Sequence, residues 1–336
     1  MQPKELEREY LVALQAEMAA HRWAWRPDTV FLGGGTPSAM EPAQIAAIMN
    51  CLPGTPWREA TLEAAPGSLT EARIQAWQQA GINRISLGVQ SFNKAELART
   101  GRRHDSTTVA ADLTLLRSAG LTNINLDLIA GLPGQTEASW RESVAAVLGT
   151  GVPHVSVYML EVDDNSRLGA EIGRGGTRFG ALDVPSDELI ASCYEYAVEE
   201  LARHGIHRYE ISNFARPGFE SLHNLKYWKR EPYIGFGADA HSFDGLARSQ
   251  NAETARLYVD GNKREVSRCD AVEEKFFVGL RLSEGVEPDE SDWRRFGPAL
   301  HRFLEGGMME RTGGRLRLTP RGIMISNEIF QEFLPA

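Results

Sequence analysis

The stretch VFLGGGTPSAM, residues 30–40, places three consecutive glycines directly after a short apolar run, with Pro37 two residues beyond them. The apolar run has the composition of a buried strand, and glycines remove every Cβ atom where that strand ends. In α/β barrels the ligand site lies at the carboxyl ends of the strands. The stretch therefore predicts a strand whose end approaches a bound group closely. Taken alone, the glycines favour an ordinary turn over a binding site.

Outward from this stretch, apolar strands and helical patterns alternate. Strands are predicted at 29–32, 60–64, 84–90, 123–129, 154–160 and 208–214. Helices are predicted at 3–20, 41–50, 71–80, 107–119, after Thr136, and at 187–204. This alternation predicts an α/β fold whose parallel sheet has right-handed crossovers and closes into a full or partial barrel. The strands read as near-continuous apolar runs, which is typical of sheets buried on both faces.

The C-terminal part follows a different pattern. From about residue 270 two helical segments precede GGRLRLTPRG, which reads as a short hairpin, and a final helix follows. The pattern resembles a small winged-helix-like domain, with a packing role and a partner-binding role both open. No basic excess marks it, so DNA binding is not expected. We expect a barrel core over 1–215, an extension over 216–268 and this domain over 269–336.

Composition and charge narrow the function classes. The net charge of −9 argues against a general binder of nucleic acid or of membrane surfaces, because both favour basic patches. No apolar run approaches the length of a membrane span, and the start lacks a signal-peptide pattern. Cys51, Cys193 and Cys269 are too far apart for a disulfide framework or a metal-ligand motif. These features favour a cytoplasmic protein.

Polar residues interrupt the predicted strands near their carboxyl ends. They are Glu63, Gln90, Ser91, Asp127, Tyr158, Glu161, Glu210, Ser212 and Asn213. A buried carboxylate is costly without a partner, so each one indicates a ligand or a neighbouring cation. Structural roles are open for each residue: Asp127 as a cap partner or paired core carboxylate, and Gln90 as a loop tie. Their recurrence at successive strand ends favours a shared site.

Seven motifs in one order resemble a known family. They are GGGTPS, LGVQSFN, TGRRH, NINLDLIAGLPGQT, YEISNFARPG, HNLKYW and YIGFGADAHS. This order resembles the radical S-adenosylmethionine (SAM) proteins of the oxygen-independent coproporphyrinogen III oxidase group, and within it the HemW-type heme chaperones. The resemblance runs from about residue 5 to the C-terminus. It implies a radical-SAM-type partial (β/α) barrel with a small C-terminal domain.

The resemblance also implies a SAM site. In the family the glycine turn receives the methionine part of SAM, and its ammonium needs carbonyl oxygens brought close. Carboxylates suit the cationic parts and ribose hydroxyls of SAM, and a guanidinium suits its carboxylate. Transferred residue by residue, the implied ligands are Gly34, Gly35, Thr36, Glu63, Gln90, Arg102 and Asp127.

HNLKYW distinguishes the chaperones from their enzymatic relatives. The family motif H-N-x-x-Y-W is implicated in heme binding, and here it is His223, Asn224, Tyr227 and Trp228. Histidine can ligate heme iron, and aromatic rings can pack on a porphyrin face. We expect His223 in a loop after the last barrel strand. His241, in GADAHS, is the rival iron ligand, with a loop-capping role as its alternative. The structural alternative is that Tyr227 and Trp228 are core residues and that His223 only forms hydrogen bonds.

The chain departs from the family at its start. Radical SAM proteins carry C-x-x-x-C-x-x-C after the first barrel strand, where three thiolates hold a [4Fe–4S] cluster; this chain has no such triplet. The barrel is therefore expected to lack its first strand, and this polypeptide to lack reductive cleavage of SAM. Two explanations compete, a start codon assigned too far downstream and a true loss of the cluster. We expect the first, because the SAM-binding positions are intact.

Three functions follow from these motifs. The first is a heme chaperone that binds heme and passes it to a client protein. SAM, and a [4Fe–4S] cluster if the missing segment is restored, would modulate that transfer. The second is an oxygen-independent coproporphyrinogen III oxidase, disfavoured by HNLKYW, so whether the chain is an enzyme stays open. The third is a clusterless module that binds heme or SAM. No nucleic acid is expected as a partner, and any membrane association is expected to be weak and to run through the client.

Overall fold

The computed structural model describes residues 4–162, 166–261 and 264–334. Its main sheet has seven strands, which are β1 Thr29–Leu32, β2 Glu59–Ala64, β3 Arg84–Gln90, β4 Ile124–Ala130, β5 His154–Met159, β6 His207–Arg208 and β7 Asn213–Ala215. Their order in the sheet is β1-β2-β3-β4-β5-β7-β6. Neighbouring strands from β2 to β5 pair in parallel. The predicted α/β class with a mostly parallel sheet is confirmed.

Helices separate the parallel strands, and several begin where the sequence predicts. Thr70 accepts a hydrogen bond from the backbone of Arg73, and Thr136 forms a reciprocal capping box with Ser139. The helices are α1 Lys4–Ala20, α2 Pro42–Met49, α3 Glu71–Gln79, α4 Lys94–Arg99, α5 Ser106–Ser118, α6 Glu137–Thr150, α7 Arg167–Gly173, α8 Asp187–Arg203, α9 Leu222–Trp228, α10 Ala255–Val259, α11 Ala271–Gly279, α12 Glu290–Glu305, α13 Pro320–Met324 and α14 Ser326–Gln331. Short 3-10 helices cover Pro37–Ala39 and Arg178–Asp183.

The predicted strand at 208–214 is wrong. The segment forms the hairpin of β6 and β7, and β7 runs antiparallel to β5. The buried carboxylate of Glu210 accepts hydrogen bonds from the Ser212 backbone and the Asn213 side chain, which closes the turn. A side chain thus supplies the turn contacts that glycine or proline usually signal.

The parallel strands are buried on both faces, as predicted, but only one face is apolar. Ile85 and Leu87 alternate with Arg84 and Ser86 along β3, and the other strands repeat this period of two. The strands therefore present a second, polar face. We call the following side chains the polar face: Glu59, Thr61, Glu63, Arg84, Ser86, Asn125, Asp127, His154 and Ser156.

The chain divides into two compact units. One contains 30–46 and 58–220, and the other contains 1–29, 47–57 and 221–336. The second unit holds the sheet of β8 His241–Phe243, β9 Ala247–Gln250 and β10 Glu265–Arg268, and the hairpin of β11 Met309–Thr312 and β12 Arg315–Leu318. The C-terminal order of two helices, hairpin and helix is present, with the last helix split into α13 and α14. The boundaries at 215 and 268 stay predictions.

An aromatic core supports the C-terminal elements. The rings of Phe276 and Phe333 stack with centroids 4.9 Å apart, and the Phe296 ring meets both edge-on. Such rings together bury several hundred Å² of apolar surface, which is the main stabilising term for elements this short. Across the described ranges, no helix is long and apolar enough to cross a membrane.

Candidate functional site

The glycine turn after β1 leaves open space beside two of its glycines. Gly34 and Gly35 have φ angles of +80° and +64°, a conformation that side chains rarely adopt. A Cβ atom at either position would meet no protein atom within 4 Å. At Gly33 a Cβ would lie 2.6 Å from the Phe31 ring. The first glycine is therefore required by packing, whereas the next two leave a cradle that an added methyl would enter. Thr36 is exposed and precedes the 3-10 turn at Pro37.

Glu63 on β2 is linked to this turn. One oxygen of its carboxylate accepts a hydrogen bond from the Gly34 backbone nitrogen at 3.2 Å. Burial raises the pKa of Glu63, the hydrogen bond from Gly34 opposes that rise, and the nearby charge of Asp127 adds to it. Two carboxylates thus share one region, and a cationic ligand would relieve both desolvation and mutual repulsion.

Asp127 on β4 lies at the base of the same region. Its side chain is half-buried. Burial raises its pKa, and hydrogen bonds from Ser156, Asn125 and Ser86 together with the charge of Arg84 oppose that rise. Asn125 Nδ2 donates to Asp127 Oδ1 at 2.6 Å.

Arg102 and Gln90 complete the group. Arg102 Nη1 donates to the Gly88 carbonyl at 3.3 Å. Burial lowers the pKa of Arg102, and the charge of Asp127 opposes that change. Gln90 has a φ of +68°, unusual for a residue with a side chain, at a register irregularity between β3 and β4. Such strained backbone is concentrated at functional sites. The structure therefore brings together Gly34, Glu63, Gln90, Arg102 and Asp127.

Several site neighbours escaped the sequence prediction. Ser86, Asn125, His154 and Ser156 are at most 6% exposed and lie around Asp127 on the polar face. His154 also contacts Tyr209 in the turn between β6 and β7. The alternation of polar and apolar residues within each strand is the sequence signal that could have identified these four residues.

HNLKYW lies in a helix, so the loop predicted for His223 is wrong. α9 begins after Ser221, whose side chain caps it by accepting from the Asn224 backbone. His223 and Tyr227 are four residues apart and share one side of the helix, where His223 Nε2 and the Tyr227 hydroxyl are 2.7 Å apart. His223 Nδ1 lies 2.9 Å from Thr29 Oγ1. Both ring nitrogens of His223 are therefore in hydrogen bonds.

The aromatic residues of the motif have contacts of their own. Tyr227 packs edge-on against Tyr233 with centroids 4.6 Å apart, and burial raises the pKa of Tyr227 above its ordinary value. The guanidinium of Arg281 lies 4.6 Å from the centre of the Trp228 ring. The indole nitrogen of Trp228 is buried and makes no hydrogen bond to the residues that the structure describes. His241 begins β8 and is exposed, rather than capping a loop.

The three cysteines do not form a cluster site. Cys51, Cys193 and Cys269 are free thiols, and burial raises the pKa of Cys193 to about 11. Among the described residues, no three histidine, cysteine or acidic side chains converge as metal ligands would. A cluster needs thiolates, so these residues do not fit a [4Fe–4S] cluster. The side chains near the glycine turn instead offer two carboxylates and a guanidinium, which suit a ligand that carries both cationic and anionic groups.

Two family models and several relatives match this chain. Residues 2–147 match the Radical SAM superfamily, and residues 266–325 match the HemN C-terminal domain. The chain is 34% identical to the heme chaperone HemW of Bacillus subtilis, over 97% of this chain and 91% of that protein. It is also 34% identical to the heme chaperone HemW of Lactococcus lactis, over 91% of this chain and 84% of that protein.

A solved structure shows the same fold. Coproporphyrinogen III oxidase (HemN) from Escherichia coli superimposes with a TM-score of 0.80, covering 99% of this chain and 85% of that one. The two sequences are 21% identical. At this identity the likeness establishes the architecture, the partial barrel with its C-terminal domain, and leaves the activity to other observations.

Proposed function

This chain belongs to the HemW heme chaperone family of the radical SAM superfamily, and from that membership we propose that it binds heme and transfers it to client proteins. The observation that carries the proposal is the similarity to HemW chaperones over nearly the whole chain. The H-N-x-x-Y-W residues, present here on α9, add a specific feature. Coproporphyrinogen oxidation is not proposed, since the resemblance to the oxidase structure is one of fold.

We propose that heme binds beside α9. His223 is the iron ligand in this proposal, and Nε2 would exchange its hydrogen bond with the Tyr227 hydroxyl for the iron. Thr29 Oγ1 would keep its contact with Nδ1 and so hold the ring orientation. Tyr227 and Trp228 would supply aromatic surface to the porphyrin. Asn224 is placed at the same site by the motif alone.

The heme site is tested by hemin titration. We expect saturable binding by the natural sequence, with His223→Ala weakening it about tenfold or changing its Soret band, because an axial ligand is lost. His241→Ala serves as the matched control, since His241 is the exposed rival histidine. Absorption spectra of both variants measure the difference. Loss of binding in His241→Ala alone would reassign the ligand, and no saturable binding by the natural sequence would refute the chaperone function.

We further propose that the site around the glycine turn binds SAM. Gly34, Gly35 and Thr36 would hold the methionine part, with the cationic groups near Glu63. Asp127 and Gln90 would contact the ribose side, and Arg102 the carboxylate. A bound cluster supplies the electron for SAM cleavage in radical SAM chemistry. Because the residues here do not fit a cluster, binding of SAM is the extent of the proposal.

Gly35→Ala is expected to weaken SAM binding about tenfold or more. The added methyl enters the open cradle and also forces alanine into a φ of +64°. Gly151→Ala is the matched control, since Gly151 has a φ of +68° and equally open surroundings at the end of α6. Both variants should lose similar stability in thermal unfolding. Calorimetry with SAM should separate them, and equal affinities would argue against the cradle as a ligand site.

The partner is proposed by class only. It is a protein that accepts heme, and a cytoplasmic location is proposed with it. Any weak association with membranes would run through that client.

A further inference from the structure

A chain of hydrogen bonds, with a buried middle step, leads from the hairpin of β6 and β7 to Asp127. The Tyr209 hydroxyl lies 3.0 Å from His154 Nε2, and His154 Nδ1 lies 2.6 Å from Asn125 Oδ1. Asn125 Nδ2 then donates to Asp127 Oδ1 at 2.6 Å. His154 and Asn125 are 0% and 2% exposed. The step between His154 and Asn125 therefore runs without competition from bulk water, whereas Tyr209 and Asp127 at the two ends are half-buried.

The chemistry of the groups fixes the direction of this chain. An ionised carboxylate only accepts, so the amide nitrogen of Asn125 must face Asp127 and its oxygen must face His154. His154 Nδ1 must then carry the proton, which leaves Nε2 to accept from the Tyr209 hydroxyl. Burial and the charge of Arg84 hold the pKa of His154 well below its ordinary value, which favours this neutral ring.

Asn125 is also held from its two sides. Its Nδ2 atom lies 2.8 Å from Ser86 Oγ and 2.9 Å from Ser156 Oγ, on the neighbouring strands β3 and β5. An amide has two N–H donors for these acceptors, and the contact to Asp127 is the shortest. The side chain is thus fixed by three strands, and its donor points at one carboxylate oxygen.

We propose that Asn125 is a positioning residue for SAM binding: it orients Asp127 and favours its ionised form, and His154 with Tyr209 fixes the amide in the required orientation. This inference rests on the SAM site proposed above. Packing alone does not explain why the side chains of the polar face are polar, since apolar side chains would fill the same interior at lower desolvation cost. The inference gives these polar side chains a role.

The inference is tested by the pH dependence of SAM affinity. Ionisable groups facing Asp127 are Glu63 from β2, Arg84 from β3, Arg102 after α4 and Tyr158 from β5. Loss of the Asn125 donor leaves these four groups in place but removes a hydrogen bond to the ionised carboxylate, so the pKa of Asp127 should rise further. Asn125→Leu keeps the approximate size of the side chain. We expect about tenfold weaker binding at neutral pH and an acid limb of the affinity profile shifted upward by about one pH unit.

A second variant covers the case in which Asn125→Leu does not fold. Tyr209→Phe removes only the hydroxyl at the far end of the chain, so we expect a smaller shift, of about two- to threefold in affinity, in the same direction. Trp140→Phe is the control. It removes another buried hydrogen bond, from the indole to the Cys193 carbonyl, between helices and away from the polar face. It should lower thermal stability and leave the pH profile unchanged.

The outcomes separate this inference from the site on which it rests. If the natural sequence binds SAM and Asp127→Asn weakens that binding while Asn125→Leu and Tyr209→Phe keep the natural affinity and profile, the positioning role is overturned and the SAM site stands. A profile shifted equally by Trp140→Phe also overturns it. If the natural sequence binds no SAM, both the site and the inference fail.

Discussion

Asp127→Asn is expected to weaken SAM binding about 10- to 100-fold and, at the same time, to raise the thermal stability of the ligand-free protein. The first effect follows from loss of a charged hydrogen-bond acceptor at the base of the site. The second follows from the pKa, because burial raises the pKa of Asp127 in the folded protein above its ordinary value. The folded state therefore favours the protonated carboxyl, and its ionised form at neutral pH is a cost.

The sign of this stability effect fixes its pH dependence. The unfolded carboxyl releases its proton at lower pH than the folded one, so stability is lost as pH rises from the ordinary pKa to the raised one. Above that range the cost is complete, and below it the variant and the natural sequence should converge. We expect a gain of a few degrees at neutral pH in the midpoint of thermal unfolding.

Asp112→Asn is the matched control for Asp127→Asn. Asp112 on α5 is 3% exposed, burial raises its pKa as well, and its carboxylate accepts from the Gly67 backbone at 2.7 Å. Its replacement should change the pH dependence of stability in the same direction and leave SAM affinity unchanged. Thermal unfolding across pH together with calorimetry measures both effects. Undiminished SAM affinity in Asp127→Asn would move the ligand elsewhere.

Apolar runs made most of the sheet predictable. The strands at 29–32 and 84–90 have the predicted bounds, and helices begin at the caps expected from Thr70 and Thr136. The hairpin of β6 and β7 could not be found in this way. RYEISNF alternates like a strand, and its turn is closed by the Glu210 carboxylate rather than by glycine or proline.

The candidate site was predictable only in part. Residues at strand ends, such as Glu63 and Asp127, could be placed from topology, because parallel strands bring their carboxyl ends together. The polar face was readable in principle, since Asn125 alternates with apolar neighbours along β4. The direction of the hydrogen bonds that lead through Asn125 to Asp127 was not predictable, because the Asn125 amide is oriented by hydrogen bonds to strands that are distant in sequence. For His223, the cap at Ser221 marks a helix start, but the partners of its two nitrogens come from the fold.

Arg84→Met is expected to destabilise the fold by about 3–5 kcal/mol, the range found when one member of a buried ion pair is removed. Arg84 and Glu59 are each 2% exposed, and Arg84 Nε lies 3.9 Å from a Glu59 oxygen. The charge of Arg84 also lowers the pKa of Asp127 against the effect of burial. Its removal therefore takes away a positive charge that acts on both carboxylates.

Glu59→Met should cost less than Arg84→Met, because Arg84 keeps Asp127 as a partner when Glu59 is absent. The double variant Glu59→Met/Arg84→Met should recover part of the loss, since no uncompensated Glu59 charge remains and methionine fills the volume. Urea unfolding of the three variants measures the order. Arg203→Met, which breaks the surface ion pairs of Arg203 with Glu199 and Glu200, is the control and should leave the unfolding midpoint nearly unchanged. Equal losses for Arg84→Met and Glu59→Met would show that the pair is isolated from Asp127. The expected unequal order instead means that the Arg84 guanidinium contributes both to the stability of the fold and to the ionisation of Asp127. SAM affinity should therefore fall together with stability in Arg84→Met and stay unchanged in Glu59→Met.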